Sequence, residues 1–533
     1  MENICQQNNL LVERNGIIRL PFLVKGRLVM PPDMSRAEVE SAFDKVEPET
    51  RYIKLEHAQL IREAEIDRAS LQYTGKHRYQ VLPSVDPIEL IETDLDSLAH
   101  GLYALKVEEV LEFLQAVRQT LQENSTTIER TRELTRRTSE HPDLFLDGSF
   151  SFLLGAFDTE AARCIIDNEL ALWQIPGSRF LDGWVNVPAK VFAGLTPILA
   201  GMLAGGYPDR SDPGSANIRA MPTRQLHITA GNAPEVPWAS ALRLILSKSA
   251  GVIKLPQEAT LSGALLGLSA LAAQPDHPLT RNLSIVYWHG GDDSIENSLF
   301  NPGAFDRIVV WGAPEAVKSV QAKAQFTKTL SFNPRYGATL IGKEAFEGDL
   351  EEIAFAAALD VMIYSQRACT SSLIQYIEGT VEQARTYAKC LVSVLNRWDE
   401  LAPPFVPPAV RGTIKRMKRG RYLRADWLTN QKDNEFTSGV AVISDEFDIF
   451  DHPMNRLVIV RPVATLNDAL RYLHPGVSTV GVHPEERRKE LRDAIAARGV
   501  STILPIGQCE HIFPGGPQDG MIVLSQLVDW KYS

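Results

Sequence analysis

An α/β fold with two sheet-bearing blocks is predicted by three features of the chain. From about residue 223 short apolar strands alternate with helices in βαβαβ order, which implies a parallel sheet with crossover helices. A second block of the same texture runs from 337 to roughly 460. The length of 533 residues, 44% of them hydrophobic, is enough for several domains with cores of their own.

The elements follow in order. GIIRLPFLVKGRLVM (16–30) is rich in apolar and β-branched residues with a Lys-Gly break, the signature of a hairpin. Spacing over 56–70 and again over 103–139 is helical; Leu102, Leu105, Val110, Leu111 and Leu114 fall on one stripe, and Thr126 to Arg137 continue as a charged helix. RQLHITAG is a strand, PWASALRLILSKSA a helix, GVIKLP a strand, LSGALLGLSALAAQ a helix, LSIVYWHG and FDRIVVWG strands, and APEAVKSVQAKAQF a helix. The second block opens with GATLIG (337–342) and passes through AFAAALDVMI to YSQRACTSS (364–372). SSLIQYIE then reads as a strand or a helix start before an amphipathic helix. LAPPFVPPAV (401–410) is a loop, and the last seventy residues alternate again up to MIVLSQLVDWKYS.

A net charge of −11 argues against nucleic acid or anionic membrane as the main partner. Five scattered cysteines without C-x-x-C or zinc spacing argue against a disulfide framework or structural metal and for a reducing, cytoplasmic setting. MENICQQNNLLVERNG lacks the basic start and apolar core of a signal peptide. VFAGLTPILAGMLAGG (191–206) is too short to span a bilayer, so no membrane insertion is expected.

Three strand ends carry candidate ligand residues. In AGNAP (230–234) Gly231 permits a tight turn, and Asn232 stands at the carboxyl edge of the sheet, where open α/β sheets bind ligands. Taken alone, the stretch reads equally as an ordinary turn. Lys254, at the end of GVIKLP, either meets an anionic or hydroxyl partner or is a surface lysine. VVWGAP sets Trp311 and Gly312 before a helix N-terminus, where backbone N–H groups can meet a pyrophosphate, although the full G-x-G-x-x-G fingerprint is absent. Cys369 lies among small hydroxyl residues; it is either a structural cysteine or a nucleophile whose thiolate a helix N-terminus would favour. Cys390 in AKCLVSVL reads as core packing, and His227 as a satisfied core residue. RGTIKRMKRGRYLRADW (411–427) concentrates seven Lys and Arg, either a solvated face or an attractor for CoA phosphates or an acidic partner.

In sequence order, the Asn turn, the lysine strand some twenty residues on, the strand-Gly-helix and the cysteine resemble the aldehyde dehydrogenase superfamily. The resemblance implies an aldehyde dehydrogenase-like fold with a Rossmann-like cofactor domain, a cysteine-bearing catalytic domain and a small oligomerisation element. The corresponding segments are an N-terminal β/α extension (1–100), an NAD(P)-binding domain (101–336), a catalytic domain (337–460) and a C-terminal segment (461–533). It further implies that Cys369 is the nucleophile and that Asn232 forms half of the oxyanion hole. Lys254 would hold the adenosine ribose or its 2′-phosphate, Gly312 would lie near the pyrophosphate, Trp311 beside it would belong to the cofactor site, and Glu446 in ISDEFDIF would hold the nicotinamide ribose. Ala316 or Val317 stands where the superfamily has a second glycine. The superfamily's Glu-Leu-Gly-Gly base corresponds to TLSFNPRYGATLI, with Phe332 or Asn333 in its place and no Asp or Glu between Glu315 and Glu344.

GNAPEVPW, SFNPRYGA, YSQRACTSS and PGGPQDG resemble the LuxC-type fatty acyl-CoA reductases of bacterial luminescence systems and their non-luminescent relatives, over most of the chain and least in its first hundred residues. This implies reduction of an acyl-CoA or carrier-bound acyl thioester by NADPH, with NADH as the alternative, to give an aldehyde through an acyl-cysteine. An acyl-transferring synthetase partner and a homo-oligomer are also implied. An aldehyde dehydrogenase working in the oxidative direction and a catalytically silent partner-binding subunit are the rival readings.

Overall fold

The strand Arg224–Ile228 is the pivot of the first large sheet. Parallel neighbours flank it on both sides, Ala250–Lys254 and Arg307–Trp311, and Leu283–Val286 and Lys328–Phe332 continue the sheet outward. The chain builds one side first and then the other, so the strand order reverses at the pivot. In such sheets ligands bind in the crevice outside the carboxyl ends at the reversal. Here that crevice lies between the loop after Ile228 and the turn after Trp311. Phe22–Val24 and Arg27–Val29, turned at Lys25-Gly26, close one edge as an antiparallel hairpin, so residues from the first hundred belong to this sheet. The computed structural model describes residues 1–190, 202–203, 213–420, 424–511 and 513–533. Nearly all of the apolar stretch 191–206, and three positions (421–423) of the basic stretch, lie outside them.

The second large sheet is parallel except for its antiparallel edge pair Ala425–Lys432 and Glu435–Ile443. Its further order is Leu457–Val463, Ser372–Glu378, Tyr336–Ile341, Val477–His483 and Thr502–Pro505. Leu457 and Ile459 pack into the core on one face, Val458 and Val460 into the core on the other. A sheet covered by helices on both faces needs such continuous apolar runs. A five-stranded sheet comprises residues 13–14, 17–19, 52–54, 58–67 and 72–83. A three-stranded antiparallel sheet pairs Val185–Lys190 and the C-terminal Asp529–Tyr532 with Pro213–Met221. No helix of the described residues is long and apolar enough to cross a membrane.

Two expectations are corrected. Residues 56–70 are not helical: Ala58–Asp67 is a strand paired antiparallel with Gln72–Pro83. Arg62, Glu63, Ala64 and Glu65 favour helix locally, but the partner strand overrides that propensity, and the fully buried Arg78 pairs with Glu63 across the ladder. Nor does Cys369 start a helix; it occupies a turn before the strand Ser372–Glu378, and the amphipathic helix begins only at Val381. The basic stretch forms the helix Pro408–Arg419, which buries Ile414 and Met417 and pairs Arg411 and Lys415 with Glu435.

Candidate active site

Cys369 is presented by a loop held in an unusual backbone conformation. Tyr364, Ser365 and Gln366 adopt φ of 46°, 52° and 69°, three successive left-handed residues none of which is glycine. Each costs about 1–2 kcal/mol, so the surroundings must enforce the shape. Gln366 Nε2 donates to the carbonyls of Ser372 (3.0 Å) and Leu457 (2.9 Å), clamping the loop on either side of the cysteine. Asn455 N–H donates to Ser365 O at 3.0 Å, and Ser478 Oγ donates to Cys369 O. The Tyr364 hydroxyl bonds Ser149 Oγ at 2.6 Å and donates to Glu235. Gly337 lets the loop approach the sheet: a Cβ there would stand 2.1 Å from Thr370 O.

Asn232 meets this loop from the first sheet. Its Nδ2 donates to Arg367 O at 3.4 Å, two residues before Cys369. Among the described residues no acceptor takes the Cys369 N–H. The Asn232 amide thus meets the backbone of the loop that carries the cysteine.

The electrostatics of Cys369 run against the helix-start expectation. The side chain is exposed to solvent, yet enough protein surrounds the sulfur that desolvation, with the charges of Asp519 and Glu510, pushes the thiol up to about 12. Arg335 pulls the other way and lies 4.0 Å from Asp519. Glu510 accepts a hydrogen bond from Thr370 Oγ1, and burial raises its carboxyl, as it does that of Asp519. No Asp or Glu stands upstream of Cys369 where the superfamily's base is expected; these two carboxylates arrive from a loop more than a hundred residues downstream. Asp519 lies inside PGGPQDG, one of the stretches that carry the family resemblance, whereas Glu510 belongs to no such motif.

Phe332, at the position expected for a base, stacks on Trp311 with ring centroids 3.7 Å apart. Trp311 Nε1 has no acceptor among the described residues, and Gly312 follows at the strand end. Lys254 ends the neighbouring strand with its ammonium over the rings of Tyr287 (5.7 Å) and Trp288 (5.9 Å). Burial brings it down to about 8, opposed by Glu296 and Glu258. Asn232, Lys254, Trp311 and Gly312 thus share the carboxyl edge of one sheet, and Asn232 reaches the cysteine loop at Arg367. Glu446 lies apart from them, exposed in the loop after Ile443, where Arg471 is the cation its charge reaches.

A family model described as acyl-CoA reductase (LuxC) matches residues 208–530. The chain is 28% identical over 320 residues to a long-chain acyl-protein thioester reductase of Vibrio harveyi, covering 59% of this chain and 65% of the relative. A protein of the same description from Photorhabdus laumondii is 29% identical over 321 residues, covering 59% and 64%. The chain thus spans less than two thirds of the length of either relative. Among solved structures, the NADP complex of an NADP-dependent glyceraldehyde-3-phosphate dehydrogenase from Bacillus halodurans superimposes with TM-score 0.65 at 14% identity, covering 97% of this chain and 99% of the other. An aldehyde dehydrogenase from Brucella melitensis gives 0.66 at 12% identity, covering 96% of each. The fold is that of the aldehyde dehydrogenases.

Proposed function

Because the chain belongs to the acyl-CoA reductase family LuxC, we propose that it reduces an acyl thioester to the aldehyde through an acyl group carried on Cys369. The meeting of Asn232 with the cysteine loop carries this reading. It brings a side-chain amide to the loop that carries the cysteine's own N–H, and an acyl oxyanion bound there would need two such donors.

At neutral pH the thiol is protonated, so a neighbouring carboxylate, Glu510 or Asp519, first accepts its proton. The thiolate attacks the thioester carbonyl, a new C–S bond forms, and Asn232 and the Cys369 N–H hold the oxyanion. Collapse breaks the donor's C–S bond, and the leaving thiolate takes the proton back. The residues at the sheet edge fit a nicotinamide dinucleotide: among the described residues the Lys254 ammonium lies over two rings without an ion pair, and Trp311 Nε1 has no acceptor. Lys254 would hold the adenosine ribose or a 2′-phosphate and Gly312 would lie near the pyrophosphate with Trp311 beside it, whereas Glu446, apart from this edge, is not placed to hold the nicotinamide ribose. NADPH is the preferred form and NADH the alternative. The reduced nicotinamide, when bound, supplies the hydride that converts the acyl carbon to that of the aldehyde, and the Cys369 sulfur leaves as thiolate. The proposal extends to a cytoplasmic homo-oligomer acting on acyl-CoA or on acyl groups delivered by a synthetase; the free cysteines are in keeping with a reducing compartment, and the family's and relatives' descriptions with an acyl thioester substrate.

The aromatic pair at Phe332 supports the reductive direction, since it fills the place of a hydrolytic base. Glu510 and Asp519 favour a second reading, oxidation of an aldehyde with one of them activating water. Incubation with acyl-CoA lacking reduced cofactor separates the two. On the reductive reading neither carboxylate lends an attacking water the general-base help worth about 10²–10⁴-fold, so acyl-Cys369 should persist for minutes in the intact-mass spectrum and yield aldehyde on addition of NADPH. Cys369→Ser should abolish both adduct and aldehyde. Rapid release of free acid by the wild type would favour the dehydrogenase.

A further inference from the structure

A polar cavity of about 400 Å³ lies between the five-stranded sheet and the two segments that meet at the active site. Gly231, next to Asn232, and Arg367, two residues before Cys369, form part of its wall. Its lining is rich in hydrogen-bond donors that the protein does not use. Gln80 is 1% exposed; its Oε1 accepts from Thr260 Oγ1 at 2.7 Å, which fixes the amide, and its Nε2 has no acceptor in the protein. Gln257 Nε2, buried in the same wall, has none either. A buried donor without an acceptor costs about 1–3 kcal/mol, so a wall with two such amides is shaped for something that brings acceptors.

The charges in the wall are distributed unevenly. Arg367 is neutralised by Glu140 and Glu63 by Arg78. Glu258 and Arg51, both exposed, enter no ion pair among the described residues, although the charge of Glu258 acts on Lys254. The cavity therefore offers two amide donors, one carboxylate outside any ion pair and one free guanidinium, with the cysteine loop forming part of its wall. A phosphopantetheine-type arm has the matching chemistry: two carbonyl oxygens, two amide N–H groups, a phosphate at one end and the acyl-bearing sulfur at the other.

We propose that this cavity receives the phosphopantetheine-type arm of the acyl donor. Gln80 and Gln257 donate to its carbonyls, Glu258 accepts from its N–H, and Arg51 meets its phosphate. The inference rests on the thioester reading of the reaction and extends it to the thiol half of the substrate. Coenzyme A and a holo acyl carrier protein present the same arm.

Calorimetric titration of the full chain tests it without turnover, using phosphopantetheine, coenzyme A, and apo and holo acyl carrier protein. Phosphopantetheine should bind, and Arg51→Ala and Gln257→Ala should each weaken it about tenfold, the effect of losing one charged or buried hydrogen bond. NADPH affinity should stay within twofold. Tighter binding of coenzyme A than of phosphopantetheine would assign the arm to coenzyme A, and binding of holo but not apo carrier would assign it to the protein. The proposal is overturned if none of the four ligands binds, or if the variants lose NADPH in place of the arm. Binding without aldehyde formation would leave the cavity assignment standing and refute the reductase reading instead.

Discussion

Replacing Glu510 with glutamine keeps a hydrogen-bonding group beside Thr370 and deletes one of two negative charges that reach Cys369. With the thiol pushed up to about 12 from an ordinary value near 9, the thiolate fraction at pH 8 falls from about 10⁻¹ to about 10⁻⁴. Solvent at the exposed sulfur screens part of this, so alkylation by iodoacetamide should be at least about tenfold slower than for an ordinary cysteine. A unit charge at about 10 Å through an effective dielectric of about 20 is worth roughly 1.7 kcal/mol, about one pKa unit. Glu510→Gln should therefore raise the thiolate fraction about tenfold. The less basic thiolate is also a weaker nucleophile, with a Brønsted slope of about 0.4–0.5, so the net gain in alkylation is roughly three- to fourfold. Turnover should move the opposite way, because the variant has lost a proton acceptor. The assay is a pH series of iodoacetamide alkylation with peptide mapping, Cys164 and Cys390 serving as internal references. Slower or unchanged alkylation in the variant, or a wild-type profile inflecting near 8.5, would refute the electrostatic account.

Asn232→Ala should lower kcat by about 10²–10³-fold while changing the KM for the thioester much less, because the amide matters most once the carbonyl oxygen is charged. Its 3.4 Å bond to Arg367 O is long, so stability should fall by no more than about 1 kcal/mol; equal losses in binding and turnover would mark a structural turn residue. Lys254, brought down to about 8, is charged below that pH and loses its proton above it. NADPH affinity measured by fluorescence should therefore weaken as pH rises through 8, by up to about tenfold per unit, and Lys254→Ala should flatten the profile.

The strands of the first block were legible because Val, Ile and Leu runs, each ending near Gly, Pro or Asn, alternate with helical spacing, and the residues at their ends lie where parallel-sheet topology puts ligands. What escaped depends on distant partners. Residues 58–67 carry helix-forming side chains and become a strand only against 72–83. The hairpin at 22–29 looks self-contained but extends a sheet whose next strand is 283–286. The turn at Cys369 is dictated by Gln366, Asn455 and Ser478, and the bonds to Leu457, Asn455 and Ser478 come from far along the chain. Glu510 reaches Thr370 across 140 residues, a separation over which no local pattern carries information.

The left-handed run before the cysteine bears on how this protein can be selected for thermal resistance. Ser365 is 4% exposed, has φ of 52°, and leaves its buried hydroxyl without a partner, so two unfavourable features coincide in one side chain. Glycine there removes both, and the gain outweighs the roughly 0.5–1 kcal/mol of extra backbone freedom it restores to the unfolded chain. Heat selection acting on stability alone would drift toward that glycine, while selection for turnover would resist it, because a freer backbone no longer fixes where the sulfur stands relative to Asn232. Position 365 is thus where hotter-growing lineages would have to trade durability against speed.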